Sequence, residues 1–250
     1  MLKKIFRLSV TLAIAEIKLR NEDSYLGIIW YLLNPLLIFG LLLTVFSTRL
    51  GQNIPQYPLY LLLGIIMFNF FQRATMDSTR IIQDNKIIIK SIHFPYTSLI
   101  GSIILKILFS HLIEIALFGI VLAFFHISPA GILLYPLVLA PFCLFTAGIA
   151  FMLCALTAYI VDLENIWLFA SRLLWFFTPI FYAIESGSRL HALNAYNPLF
   201  HYISIAREMI IYGHIPAWWN VAAATGYALL SLAIGLAVFN NLKSKFAELI

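Results

Sequence analysis

A row of polar side chains within a long apolar stretch is the first feature of the sequence that could support chemistry. Ser102, Lys106, Ser110 and Glu114 follow one another at four-residue steps, with His111 near Glu114. This spacing places the four on one face of a helix. Ionisable groups at membrane depth are functional candidates, because burying them without a partner is costly. The alternative is that neighbouring helices satisfy Lys106 and Glu114, so that the row holds helices together.

Two further rows combine aromatic rings with hydrogen-bonding groups. At 100° per residue, each row lies on one side of its helix: Trp30, Asn34, Thr44 and Thr48 in the first, and Trp167, Ser171, Trp175, Thr178 and Tyr182 in the second. Rings stack on the C–H faces of sugars, while hydroxyl and amide groups bond to sugar hydroxyls. The rows are therefore candidate walls of a path for carbohydrate. The alternative is an aromatic belt at the membrane surface combined with ordinary helix packing.

The common catalytic motifs are not in the sequence. None of the twelve glycines precedes a lysine, so a Walker A ATP-binding loop cannot be written. Neither an HExxH zinc-protease motif nor a GxSxG serine-hydrolase motif occurs. We therefore expect no catalytic residue, no metal, no bound cofactor and no enzyme activity of this chain by itself.

The composition identifies lipid as the solvent of this protein. Of its 250 residues, 62% are hydrophobic and 11% are charged, whereas a soluble domain has about 25% charged residues. The formal net charge of +5 fits basic loops that face anionic lipid, so we expect no nucleic-acid partner. Cys143 and Cys154 are expected to be small packing residues.

The apolar runs predict an all-α integral membrane protein with six transmembrane helices in a single domain, residues 1–250. Runs of roughly 20 residues are long enough to span, and they lie within 28–183, five spans, and at 218–239, the sixth. The individual spans are predicted at 28–48, 57–76, 97–125, 132–160, 166–183 and 218–239.

The segments outside the spans have distinct patterns. Residues 1–27 contain an amphipathic helix typical of the membrane interface, and a cleaved signal peptide is the alternative. Residues 77–95 form a polar cytoplasmic segment. Residues 184–217 are amphipathic and are predicted to form short re-entrant helices, and residues 240–250 form a basic tail.

The basic residues predict the orientation. With the N-terminus inside, eleven lysines and arginines lie on or near the cytoplasmic side, whereas Arg49, Arg189 and Arg207 face outward. Cytoplasmic loops of membrane proteins carry such an excess of bases. We therefore expect both termini in the cytoplasm.

Short motifs run in a fixed order through nearly the whole chain. They are Tyr25-Leu26-Gly27 with Trp30 and Pro35, Lys90 with Phe94-Pro95, Asp162-Leu163-Glu164, Thr178-Pro179-Ile180 with Tyr182, Asn197-Pro198-Leu199, Arg207, and in the tail Phe239-Asn240, Leu242-Lys243 and Phe246-Ala247-Glu248. In this order the sequence resembles the permeases of bacterial polysaccharide ABC exporters, in the ABC-2 class, most closely those for the O-antigen of lipopolysaccharide. Two departures concern the cytoplasmic side, where the family usually has bases: Val161 before the turn, and Asn21, Glu22 and Asp23.

The resemblance implies an assembly and residue roles. It implies a homodimer in the bacterial inner membrane, two copies of an ABC nucleotide-binding subunit that hold ATP and Mg, and a lipid-linked polysaccharide as substrate. It implies that the ATPase docks at Arg80, Asp84, Asn85, Lys86 and Lys90. Spans one and five would line a channel with Trp30, Asn34, Thr44, Trp167, Ser171, Trp175, Thr178 and Tyr182. The short helices would close it outside, with Tyr196, Asn197, Pro198 and Arg207.

Other functions fit parts of the same pattern. Another ABC-2 permease could export teichoic acid, capsule or a small amphiphile. A membrane-embedded glycan transferase would need acids and bases that converge on one leaflet, and it would work without ATP. A purely structural subunit would leave the polar rows without an explanation.

Overall fold

A computed structural model describes residues 2–22, 27, 29–91, 94–160, 162–184 and 187–246. Within these ranges the chain is helical and contains no β-strand. The α-helices of the described ranges are α1 Leu2–Glu22, α2 Ile29–Phe46, α3 Tyr57–Asp84, α4 Lys86–Ser91, α5 Thr97–Phe124, α6 Tyr135–Thr157, α7 Leu163–Phe177, α8 Arg189–Asn194, α9 Pro198–Ile210 and α10 Trp218–Leu242. Short 3₁₀ helices cover Pro129–Leu134 and Lys243–Lys245.

Five of the described helices are long and apolar enough to cross a membrane. They are α2, α3, α5, the continuous run Pro129–Thr157 that contains α6, and α10. These confirm the membrane character predicted from the sequence and correspond to spans one to four and six. The predicted fifth span is different, because α7 has only 15 residues. A helix of that length extends about 22 Å, less than a hydrocarbon core of ~30 Å.

The early end of α7 has a local cause. A residue that precedes proline is disfavoured in the helical conformation, and Thr178, before Pro179, is extended with φ −76° and ψ 134°. Residues 178–184 continue without regular helix. The prediction of a helix to residue 183 was therefore wrong over its last two turns.

The cytoplasmic segment 77–95 also differs from its prediction. The second span was expected to end near residue 76, but α3 continues as one helix to Asp84. Asn85 interrupts the helix, and α4 follows with Ile87 exposed and Ile89 buried. The segment is thus the last turns of α3 plus a separate short helix, and residues 92–93 lie outside the described residues.

The core of the protein is built around α3. This helix packs against α5 and α6 and also contacts α2, α7 and α9. In its most apolar 18-residue segment, 78% of the residues are buried. The corresponding values are 11% for α2 and 17% for α10. Those two helices therefore present large apolar faces to their surroundings. Cys154 is buried, Cys143 is half-buried, and both are free thiols.

The close packing of α6 on α10 depends on two glycines. A Cβ atom added to Gly235 would collide with the backbone carbonyl of Gly148, and one added to Gly148 would collide with the backbone of Ser231. The Ser231 hydroxyl also donates a hydrogen bond to the Phe145 carbonyl oxygen at 3.2 Å. Small residues let membrane helices approach to this distance, which brings van der Waals contact and interhelical hydrogen bonds together.

We expect Gly235→Val to separate α6 from α10 and to destabilise the protein by about 1–3 kcal/mol, the usual cost of overpacking. The matched control is Gly226→Val on the same helix, because nothing described lies within 4 Å of a Cβ at that position. The measurement is the thermal melt of the purified protein in detergent. Equal melting temperatures for the two variants would contradict this packing.

Candidate functional site

The segment after α7 is held by an arginine from α9. Arg207 is 3% exposed; its Nη1 donates to the Pro179 carbonyl oxygen at 2.8 Å and its Nη2 to the Ile180 carbonyl oxygen at 3.0 Å. Its Nε and Nη2 also donate to the Tyr60 carbonyl oxygen, at 3.2 and 3.0 Å. The guanidinium carbon lies 3.3 Å from the centre of the Tyr60 ring, which adds a cation–π contact.

Two tyrosines of α3 satisfy the remaining carbonyls of this segment. The Tyr57 hydroxyl donates to the Phe181 carbonyl oxygen and the Tyr60 hydroxyl donates to the Tyr182 carbonyl oxygen, both at 2.9 Å. Non-helical backbone at membrane depth is stable only where protein or water satisfies its polar groups. We call Tyr57, Tyr60, Arg207 and residues 178–182 the carbonyl clamp. The sequence reasoning missed the two tyrosines, although their three-residue spacing at the start of an apolar helix was a usable signal.

The predicted gate residues divide into two groups. Asn197 is buried; its Nδ2 donates to the Thr178 hydroxyl at 2.9 Å, and its Oδ1 accepts from the Leu199 amide at 3.1 Å, which caps α9. Pro198 is the first residue of α9, a favoured position for proline. Asn197, Pro198 and Arg207 therefore lie around the end of α7, whereas Tyr196 is 80% exposed.

The helices around the clamp are also fixed to the rest of the fold. His201 of α9 forms hydrogen bonds of 2.8 Å with the Asn220 side chain of α10 and with the Ala195 carbonyl oxygen. Beyond α9, the Tyr212 hydroxyl donates to the Pro55 carbonyl oxygen at 3.1 Å. Burial raises the pKa of the Tyr212 phenol.

The polar row on α7 packs inside the protomer. Ser171 is fully buried and its hydroxyl accepts a hydrogen bond from the Gln72 side chain of α3 at 3.3 Å. The Trp175 ring meets the Phe68 ring edge-on at 4.9 Å. Trp167, Thr178 and Tyr182 likewise contact α3, Asn197 and the end of α7 itself. The free surface of α7 is formed instead by Asn165, Ile166, Phe169, Arg172, Leu173 and Phe176.

The polar row on α2 lies on a free surface of the protomer. Trp30, Asn34 and Thr44 are all exposed, and Leu37 and Leu41 lie between them on the same face. The opposite face, with Tyr31 and Pro35, is buried. Of the two rows, the one on α2 is therefore accessible to another chain or to a passing substrate.

The ionisable row on α5 is paired with neighbouring helices. Lys106 Nζ lies 2.8 Å from Glu16 of α1 and 2.8 Å from Asp77 of α3. Glu114 accepts a hydrogen bond from Arg73 of α3 at 2.9 Å. His111 Nε2 lies 2.6 Å from the Tyr135 hydroxyl. The row therefore ties α1, α3 and α5 together, as the interhelical alternative required.

The predicted ATPase-docking residues lie at the end of α3 and on α4. Arg80 binds Glu164 of α7, with its Nε 2.7 Å from the carboxylate. Asn85 donates to the Ile81 carbonyl oxygen at 2.9 Å. Asp84, Lys86 and Lys90 are exposed. Predictions about residues 21–26, Val161 and the tail residues 247–248 lie on positions whose structure or side chain is outside the described residues.

Comparison with known proteins identifies the class of the chain. The family model of the ABC-2 type transporter matches residues 8–211, so the chain belongs to the ABC-2 type transporter family, as its motifs indicated. The O-antigen export system permease protein RfbA of Klebsiella pneumoniae is 28% identical over 98% of this chain and 96% of its own length. The protein of that name in Myxococcus xanthus is 26% identical over 96% and 94%. The polysialic acid transport protein KpsM of Escherichia coli is 23% identical over 92% and 91%.

Proposed function

We propose that the chain is the membrane permease of an ATP-driven exporter that moves a lipid-linked polysaccharide, the O-antigen, across the inner membrane. The observation that carries this proposal is the similarity to O-antigen export permeases along 96–98% of the chain. Capsular polysaccharide is the second candidate, supported by the weaker similarity to the polysialic acid transport protein. Because the sequence contains no Walker A motif, ATP hydrolysis belongs to a separate nucleotide-binding subunit.

The permease acts as a homodimer, with a path for the polysaccharide between the two copies. The exposed row of Trp30, Asn34 and Thr44 on α2 supports this arrangement, because a single copy leaves it uncovered. Rings and hydroxyls on this face give weak contacts that a polymer can exchange unit by unit. The α7 row supports the path indirectly, because its packing on α3 fixes the angle of α7. Two members of this row, Thr178 and Tyr182, lie in the carbonyl clamp at the end of the path.

Both termini face the cytoplasm in this proposal. The long helices supply five crossings, and α7 together with the carbonyl clamp supplies the sixth. A clamp in place of the last two helical turns is compatible with a crossing because its carbonyls are satisfied inside the protein. The gate region, residues 184–217, then lies on the outer side with α8 and α9.

In the homodimer, one nucleotide-binding subunit docks at α4 of each copy. The exposed charges Asp84, Lys86 and Lys90 and the exposed Ile87 form a mixed surface suited to a protein partner. The adjacent Arg80–Glu164 pair joins α3 to α7. A displacement of α4 by the ATPase would therefore reach both the central helix and α7.

The docking site is tested by the double reversal Asp84→Lys with Lys86→Glu. We expect less ATPase to co-purify with the permease, and we expect the permease to stimulate ATP hydrolysis less. The reason is that the charges of Asp84 and Lys86 both contact the ATPase in this proposal. A double change is needed, since one surface ion pair is worth only about 0–1 kcal/mol. Arg49→Glu, an exposed reversal in the α2–α3 loop, is the control. Normal co-purification and stimulation in the double variant would place the docking site elsewhere.

A further inference from the structure

An apolar groove lies beside α1, away from the clamp and from the α2 face. Its volume is about 550 Å³, within the range of roughly 300–1,000 Å³ typical of small-molecule sites. Its walls come from four helices: Ile5, Phe6 and Ser9 of α1, Thr97, Ile100, Gly101, Ile104 and Leu105 of α5, Ala147 and Phe151 of α6, and Leu236 of α10. We call it the α1 groove.

The walls of the α1 groove suit hydrocarbon. Only Ser9 and Thr97 among the lining residues have polar side chains, and the Ser9 hydroxyl already donates to the Ser98 carbonyl oxygen at 3.1 Å. A water molecule needs several polar partners to occupy a cavity, and apolar cavities bind apolar ligands instead. The groove therefore selects a hydrocarbon group.

The length of the groove matches a single leaflet. Its α5 wall runs from Thr97 to Leu105, which is about 12 Å at the helical rise of 1.5 Å per residue. Half of a hydrocarbon core of ~30 Å is ~15 Å. One acyl chain that lies along α5 would thus be covered over most of its depth in the membrane.

The α1 end of the groove carries groups for an anionic headgroup. Lys3 and Arg7 are exposed and lie four residues apart, so they share a face of α1. That face adjoins Phe6, which is 63% exposed at the edge of the groove. Basic side chains at the membrane surface attract anionic lipids.

We propose that the α1 groove binds one acyl chain of an anionic phospholipid, whose phosphate meets Lys3 and Arg7. This lipid holds α1 against α5, α6 and α10. It is a resident lipid of the leaflet in which α1 lies. The direct contact of α1 with α5, through Ser9 and Gly101, forms one wall of its site.

The test uses the full-length permease in phosphatidylcholine nanodiscs that contain a minor fraction of phosphatidylglycerol with a photoactivatable acyl chain. After illumination, mass spectrometry locates the labelled peptides. We expect label on residues 5–9 and 97–105. Ala147→Phe fills the groove and should lower this labelling about tenfold. A tenfold loss of affinity corresponds to about 1.4 kcal/mol of binding free energy. The control Ala237→Phe lies on α10 beyond the lining residue Leu236 and is exposed, so its labelling should equal wild type.

The headgroup is tested separately with Lys3→Glu combined with Arg7→Glu. This variant should lose labelling by phosphatidylglycerol, whereas the exposed reversal Arg49→Glu should not. A phosphatidylcholine probe should label the groove more weakly than phosphatidylglycerol; equal labelling would overturn the anionic part of the proposal. Should Ala147→Phe fail to give a monodisperse protein, Leu105→Trp blocks the groove from α5. Unchanged labelling in the blocked variant, or label spread evenly over exposed apolar helix faces, would overturn the site.

Discussion

Replacing Arg207 by methionine should abolish polysaccharide export and sharply reduce the amount of folded permease. Arg207 donates to three backbone carbonyl oxygens, those of Tyr60, Pro179 and Ile180. Methionine cannot donate to any of them. The Tyr60 carbonyl keeps its place within α3 and the Tyr60 hydroxyl lies 3.2 Å from the Pro179 carbonyl oxygen, so the Ile180 carbonyl loses most, and a buried acceptor left without a partner costs about 1–3 kcal/mol. The carbonyl clamp would open and release the turn after α7. The measurement is surface polysaccharide together with the thermal melt of the purified protein.

Arg207→Lys separates charge from geometry. A lysine keeps the charge but lacks the planar fork of the guanidinium, so it should recover only part of the stability and little export. Arg189→Met is the control, because Arg189 is exposed on α8. If Arg207→Met melts and exports like wild type, the carbonyl clamp neither stabilises the protein nor contributes to export.

Removing one member of the Arg73–Glu114 pair should be nearly as damaging. The Glu114 side chain is 2% exposed, and its carboxylate lies 2.9 Å from the guanidinium of Arg73, whose side chain is 23% exposed. His111 Nδ1 lies farther from the same carboxylate, at 3.7 Å. Breaking a buried pair by removing one partner costs about 3–5 kcal/mol, since an uncompensated charge remains. Arg73→Met should therefore lower the melting temperature strongly by leaving Glu114 buried opposite an apolar side chain.

The double variant Arg73→Met with Glu114→Leu separates two effects. One is the cost of burying an unpaired charge, and the other is the loss of contacts between the two side chains. Replacing both partners by apolar residues of similar volume is often neutral, so the double variant should melt closer to wild type than Arg73→Met alone. Glu164→Gln is the control, because it weakens an exposed pair with Arg80 and should cost at most about 1 kcal/mol. A double variant that melts below both Arg73→Met and Glu114→Leu would contradict this explanation. It would show that the two side chains stabilise the protein by more than neutralising each other's charge.

The long apolar helices were predictable because lipid imposes a simple length requirement on them. Spans one to four and six follow the apolar runs. The two failures have local causes: Pro179 ends α7 early, and α3 continues through the polar residues 77–84. In the second case, Arg73 and Asp77 find partners on α5, and Arg80 finds one on α7, so polarity there did not mark the end of a helix.

The site was less predictable than the helices. Residue spacing shows which side chains share one face of a helix, but it does not show what that face packs against. The rows on α2 and α7 both combine tryptophan with hydrogen-bonding side chains, yet the first is exposed and the second packs on α3. Nothing in the α7 row itself distinguishes lining a path from packing on Phe68 and Gln72. Arg207 was found through a motif, but its partners are backbone carbonyls, which have no sequence signature. Tyr57 and Tyr60 of the clamp also bond to backbone carbonyls, and only their three-residue spacing at the start of an apolar helix pointed to them.

The most direct test of the proposed function follows the polysaccharide in a cell that lacks this chain. Membrane vesicles of each orientation are treated with an enzyme that degrades the polysaccharide, and the protected fraction of lipid-linked polymer is measured. Without the chain, the polymer should accumulate on the cytoplasmic face. Wild-type permease should restore export only with a partner ATPase that hydrolyses ATP. Normal surface polysaccharide in the absence of the chain, or full export with an inactive ATPase, would contradict its role as an ATP-driven permease.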